Sequence, residues 1–190
     1  QLGIGNTTDS WVPVEVPAFS SLSASAITAD ARHACAVAGG SASCWGLNAS
    51  GQLGDGTTFS RTVPTNVTDL NTNIVDIDAG QFHACALKQT GSAVGAKCWG
   101  LNSSGQLGDT TLTQRFFPVD VSGLSTGVNA ISAGGNHTCA LLESQRVKCW
   151  GRNDTAQLGI NPGWFPVSVV GLDAPPPTPT LTPTPTVPTL

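Results

Sequence analysis

The sequence predicts an all-β fold: a propeller-type array of about three blades plus a partial one, incomplete or open, with an extended Pro/Thr-rich C-terminal tail. Three observations carry that expectation. Gln-Leu-Gly starts at Gln1, Gln52, Gln106 and Gln157, and Trp45, Trp99 and Trp150 recur at steps of 54 and 51 residues. A period of about fifty residues suits a propeller blade or β-solenoid unit better than helical repeats, which are mostly shorter. Runs such as Ile74-Val75-Asp76-Ile77 and Phe117-Pro118-Val119-Asp120-Val121 alternate apolar with polar, as half-buried strands do. Clusters of Gly, Asn, Ser and Thr between them read as turns, and no stretch sustains a 3.6-residue apolar stripe.

Taken in order, residues 1–21 form a partial repeat containing Gln1-Leu2-Gly3 and a predicted strand from Val12 to Val16. Repeats follow at about 22–72, 73–127 and 128–174, the last ending on a predicted strand from Phe165 to Val170. In the first full repeat Gly39-Gly40 reads as a two-residue hairpin turn, because both central residues can take positive φ. Pairing then runs Ala38 with Ser41, Val37 with Ala42, Ala36 with Ser43, and Cys35 with Cys44. The two cysteines fall on a non-hydrogen-bonded pair, where Cα atoms approach to about 4.5 Å, inside the range a disulfide tolerates. Cys85 faces Cys98 around a loop at Thr90 to Ala93, and Cys139 faces Cys149 across Glu143 to Gln145. The loops change length while the partners stay, which is what a cross-strand staple predicts.

His33, His83 and His137 each stand two residues before a cysteine, so metal binding competes with the disulfide reading. Each repeat offers only one His and two Cys and no Cys-x-x-Cys knuckle, which favours the disulfides. The histidines then read as hydrogen-bonding residues at strand starts. A catalytic role is weaker still, since a nucleophile and base occur once rather than once per repeat. No catalytic, cofactor-binding or metal site is expected. Trp45, Trp99 and Trp150 each follow a cysteine directly and so point to the opposite sheet face, as equivalent core residues.

The pattern Gly-x-x-His-x-Cys-Ala-Leu, then Cys-Trp-Gly-x-Asn-x-x-Gly-Gln-Leu-Gly, then a Pro-Val strand resembles the regulator of chromosome condensation repeat. Its residues here are Gly80, His83, Trp99, Gly100, Asn102, Gly105, Gln106, Leu107 and Gly108, with equivalents in the neighbouring repeats. The resemblance covers residues 1 to about 174 and implies a β-propeller, usually of seven blades. It also implies a binding platform. Members act in guanine-nucleotide exchange on a small nuclear GTPase, in chromatin attachment, in ubiquitin ligases, and as secreted bacterial proteins including a β-lactamase inhibitor. Fold alone therefore leaves function open. The paired cysteines and the small number of repeats depart from the usual pattern.

Only 11% of residues are charged, net −4, with eight Lys plus Arg. That is too little positive charge for a phosphate-backbone partner, so nucleic acid is not expected. No run of eighteen apolar residues suggests a membrane span. Six regularly paired cysteines point to an oxidising compartment, hence an extracellular or cell-surface location. A chain starting at Gln1, with no Met and no visible signal peptide, fits a processed mature form or a segment cut from a longer chain.

Asn-x-Ser/Thr occurs at Asn6, Asn48, Asn66, Asn102, Asn136 and Asn153, all glycosylation candidates. Asn48, Asn102 and Asn153 are also the repeat's own turn residue, where Asn suits the backbone, so Asn6 and Asn66 are the better candidates. Residues 175–190 hold seven Pro and six Thr with no charge, and read as a polyproline II tail or linker about 50 Å long. Thr178, Thr180, Thr182, Thr184 and Thr186 there are O-glycosylation candidates.

Together these point to an extracellular structural or adhesive surface protein. The partial first repeat and the missing strand after the last predict two open, different array ends. Copies would then join head-to-tail into a filament or ring. The alternative is a secreted module that binds a protein or glycan through its loops, hinted at by Trp11 and Trp164. Guanine-nucleotide exchange is the least favoured.

Overall fold

The structure is a computed structural model that describes residues 1–159 and 166–169. Gly39 and Gly40, both at positive φ (58° and 76°), close the hairpin of the first full repeat. Around them run β2 (His33–Ala38) and β3 (Ser41–Gly46), flanked by β1 (Ala24–Asp30) and β4 (Arg61–Asn66). The next repeat gives β5 (Ile74–Ala79), β6 (His83–Thr90), β7 (Ala93–Gly100) and β8 (Arg115–Asp120). The third gives β9 (Val128–Ala133), β10 (His137–Leu142), β11 (Val147–Gly151) and β12 (Val167–Ser168). Each set is a four-stranded antiparallel sheet in sequence order, so the described residues form an open, propeller-like all-β array.

The hairpin registers pair Cys35 with Cys44, Cys85 with Cys98 and Cys139 with Cys149. All three pairs are disulfide-bonded, with Cα atoms 4.0 to 4.1 Å apart. Alternate side chains leave opposite faces, so each hairpin carries its disulfide on one face and its tryptophan on the other. The sheets stack in that order. Cys35, Val37 and Cys44 of the first sheet pack with Ile77, Ala84, Ala86 and Trp99 of the second. Cys85, Leu87 and Cys98 of the second pack with Ile131, Ala140 and Trp150 of the third. Stacking explains where strict alternation fails. β2 is buried along its whole length because both its faces are covered, which is why alanine and cysteine fill it.

Two expectations are corrected here. Val12 to Val16 is not a strand, because no chain among the described residues runs beside it to supply ladder hydrogen bonds. A 3₁₀ turn, Pro17–Phe19, follows instead. Nor is the first end of the array fully open. Trp45 is 2% exposed, with Phe19 packed on its indole at a centroid separation of 5.7 Å. Of the last predicted strand, Val167–Ser168 pairs with β11 and the Val169 amide donates to the Val147 carbonyl at 3.0 Å, while Phe165 and Val170 lie outside the described residues. The Pro/Thr tail and its threonines, Thr178 to Thr186, lie outside the described residues. No helix among those described is long and apolar enough to cross a membrane.

Candidate functional site

The repeated motif residues hold one sheet to the next. Each tryptophan Nε1–H donates to the carbonyl of the preceding repeat's glutamine: Trp45 to Gln1 at 2.7 Å, Trp99 to Gln52 and Trp150 to Gln106 at 2.9 Å. The glycine two residues after that glutamine makes room for the ring. A Cβ added to Gly54 or Gly108 would lie 2.7 Å from the indole nitrogen, and both have φ of +67°. Gln-Leu-Gly is thus a single device: a carbonyl acceptor, a buried leucine and a gap.

Asn48 pins the loop that follows. Its Oδ1 accepts the Leu53 amide, and its Nδ2 donates to Asp55 Oδ1 and to the Thr57 and Phe59 carbonyls. Asn102 repeats this with Leu107, Asp109, Thr111 and Thr113. Both side chains are fully buried. Asn6 and Asn66 are exposed, while Asn136 and Asn153 are half-buried. Asp55 pairs with Arg61 and Asp109 with Arg115, each at 2.7 Å. Burial raises the pKa of Asp55, but hydrogen bonds from Thr57 and Arg61 outweigh it and hold the carboxyl below its ordinary range. Asp109 behaves alike, through Thr111 and Arg115. Sequence reasoning missed these clasps. Their signal was an Asp six residues before an Arg in two successive repeats.

The histidines are buried between sheets at the first two positions. His83 Nε2 lies 2.9 Å from Thr138 Oγ1, whose hydroxyl donates to the Gln106 carbonyl, so the ring donates from Nε2. His83 Nδ1 and both ring nitrogens of His33 are buried without a hydrogen-bond partner. Burial lowers His33 to about 4, and burial with the neighbouring His33 and His137 lowers His83 to about 3. His137 is half-buried. The His33 and His83 rings are neutral at pH 7 and cannot act as cations. Among the described residues, no group of three or more His, Cys, Asp or Glu is placed to hold a metal ion.

With the motif residues committed to the interfaces, the free chemistry lies elsewhere. The loops after Gln-Leu-Gly and the outer strands β4 and β8 carry exposed apolar side chains: Phe59 (71% exposed), Phe117 (51%), Val63 and Leu112. Phe116 beside them rests on the neighbouring repeat's Gly51, where an added Cβ would meet its Cδ1 at 2.5 Å. Pro64 in β4 and Pro118 in β8 remove an N–H from each outer strand, which blunts it against pairing with another chain. What remains is a rim of aromatic and aliphatic side chains among Ser, Thr and Gln, a surface for side-chain contacts. Trp11 is fully exposed beside a cleft of about 490 Å³ lined by Gln1, Leu2, Asp9, Ser10 and Ala31. Trp164 lies outside the described residues.

Two family models described as "Regulator of chromosome condensation (RCC1) repeat" match the chain, one at residues 40–87 and 98–141, the other at 74–106 and 128–157. The ultraviolet-B receptor UVR8 of Arabidopsis thaliana is 32% identical over 163 residues, which are 84% of this chain and 36% of the receptor. Yeast RCC1 (Prp20), solved bound to Kap60, superposes with a TM-score of 0.66 at 20% identity, over 84% of this chain and 39% of Prp20. The entire ectodomain of the Physcomitrella patens receptor kinase CR4 superposes with a TM-score of 0.50 at 28% identity, over 82% of this chain and 38% of that one. The chain thus spans somewhat over a third of the length of these relatives.

Proposed function

The chain belongs to the regulator of chromosome condensation (RCC1) repeat family, and from that premise we propose that it is an extracellular protein-binding propeller module. The observation that carries this reading is the exposed rim of Phe59, Val63, Leu112 and Phe117, set beside motif residues that are buried between sheets. Large exposed apolar side chains on a rigid scaffold suit recognition of a protein surface, where aromatic residues supply most of the binding energy. Prp20, which shares this fold, was solved bound to another protein, Kap60. Net charge of −4 with few basic residues favours a protein over a nucleic acid.

The extracellular part rests on the three disulfides, which persist in oxidising compartments. The CR4 ectodomain is a related propeller on the outside of a cell. In that location the exposed Asn6 and Asn66 are the sites open to N-glycans.

Photo-crosslinking side chains placed at Phe59 and at Phe117 in the native protein test this reading. A common protein captured from both positions, and lost in the Phe59→Ala/Phe117→Ala double variant, is the expected result. Equal capture from the opposite side of the array, for example at Asp30, would refute it.

A further inference from the structure

The interface between the first and second sheets and the one between the second and third share a frame. In β2, β6 and β10 a histidine opens the strand. The residue after it pairs across the hairpin with the tryptophan, Ala84 with Trp99 and Thr138 with Trp150. Each of these tryptophans donates from Nε1 to the glutamine carbonyl of the preceding repeat at 2.9 Å, Trp99 to Gln52 and Trp150 to Gln106. The histidine of that preceding repeat enters the same interface. His33 shares a strand face with Cys35, and His83 with Cys85, and those cysteines pack on the next sheet.

One side chain separates the two interfaces. In the second, Thr138 Oγ1 lies 2.9 Å from His83 Nε2 and donates to the Gln106 carbonyl at 2.9 Å. A single oxygen therefore accepts from the ring and gives the carbonyl its second hydrogen bond. In the first interface Ala84 stands where Thr138 stands, and it is two heavy atoms smaller. There His33 Nε2 is buried without a partner in the protein. Among the described residues the Gln52 carbonyl accepts a side-chain bond from Trp99 alone. Nδ1 lacks a partner on both rings, so the difference between them falls on Nε2. The glutamine side chains differ in the same direction. Gln106 Nε2 reaches Asn136 Oδ1 at 3.5 Å, whereas Gln52 Nε2, with Phe82 at the matching position, is buried without a partner. His33 is 1% exposed and Gln52 and Ala84 are 0% exposed, so bulk solvent does not reach these groups.

Buried polar groups left bare are rare in folded proteins, and an internal water with a few polar partners is the usual remedy. We propose that the first interface binds one internal water, which accepts from His33 Nε2–H and donates to the Gln52 carbonyl, as the Thr138 hydroxyl does in the second. Two side-chain heavy atoms fewer at Ala84 make room for about one water. The first interface is thus a hydrated joint and the second a dry one, and the residue after the histidine decides which.

A crystal structure of the full chain at a resolution that shows ordered solvent tests this. The expected result is one solvent oxygen within hydrogen-bonding distance of both His33 Nε2 and the Gln52 carbonyl. No solvent there, or His33 Nε2 bonded to a protein atom, would overturn the proposal. Chemical denaturation of two variants asks the same question of energy. Ala84→Thr replaces the water with a hydroxyl, whereas Ala84→Val fills the same volume and leaves the ring bare. The unfolding constant of Ala84→Thr should be at least about fivefold smaller than that of Ala84→Val. Equal stability of the two would count against a polar site. If residue 84 tolerates neither side chain, Thr138→Ala moves the test to the second interface. A new solvent oxygen between His83 Nε2 and the Gln106 carbonyl is expected there, and a ring that stays without a partner would refute the rule.

Discussion

At the scale of single residues, burial decides the chemistry of the repeat. A neutral imidazole is tolerated between sheets, whereas a charged one would lack both water and a counter-ion. His33 and His83 are held near 4 and 3 against an ordinary value of 6.5. A folded pKa below the unfolded one means that the unfolded chain takes up the protons. Their stabilisation is therefore complete above about pH 6.5 and is lost as pH falls through 4 and then 3. Chemical denaturation at pH 7.5 and 4.5 should show a loss on the order of 2–3 kcal/mol from His33 alone. His33→Gln should remove that share and leave the loss that His83 contributes. Asp55 and Asp109 are held below their ordinary 3.8, so they add little to the change between pH 7.5 and 4.5. Trp99 is the other critical residue, filling the second sheet's interface and donating to Gln52. Trp99→Ala should cost about 3–5 kcal/mol, read as a shift of the denaturation midpoint. A folded, equally stable variant would make it a surface residue instead.

At the scale of elements, the hairpin and the pinned loop are the units. Each disulfide closes a short loop, of 9, 13 or 10 residues in sequence separation, across two strands that already pair. In the chain-entropy account each contributes about 2–3 kcal/mol by restricting the unfolded chain. The Cys85→Ala/Cys98→Ala pair should lower stability by about that amount while keeping the β-sheet circular dichroism of the parent. Non-reducing peptide mapping should return three links within repeats and none between them. The loop element depends on Asn102, whose amide serves five hydrogen bonds from a buried position. Asn102→Ala should cost more than the disulfide pair, because it strands buried backbone groups as well as losing contacts.

At the scale of the whole molecule, stability is shared between neighbouring sheets, as in other repeat arrays. The second sheet has both faces covered, by Cys35 and Cys44 on one side and Trp150 on the other. Native-state hydrogen exchange should therefore find the slowest amides in β6 and β7, and faster ones in β1 and β10. Equal protection across all three sheets would show that the array opens as one unit.

Much of this architecture was legible in the chain. The Gln-Leu-Gly and Trp-Gly spacings set the repeat, and Gly39-Gly40 with its flanking residues determined which cysteine meets which. These are local matters: turn length and two-residue alternation fix partners within about fifteen residues, whatever the rest of the molecule does. Only the tertiary structure decided what lies across from each face. That Trp99 finds a carbonyl 47 residues earlier and that residues 1–3 cover Trp45 both follow from how sheets stack. The exposure of Phe59 and Phe117 belongs there too, since a phenylalanine in a strand or loop is core or surface according to whether a neighbouring sheet arrives over it. Stacking brings together residues one whole repeat apart, and a periodic sequence states the period without stating which side of each sheet meets the next.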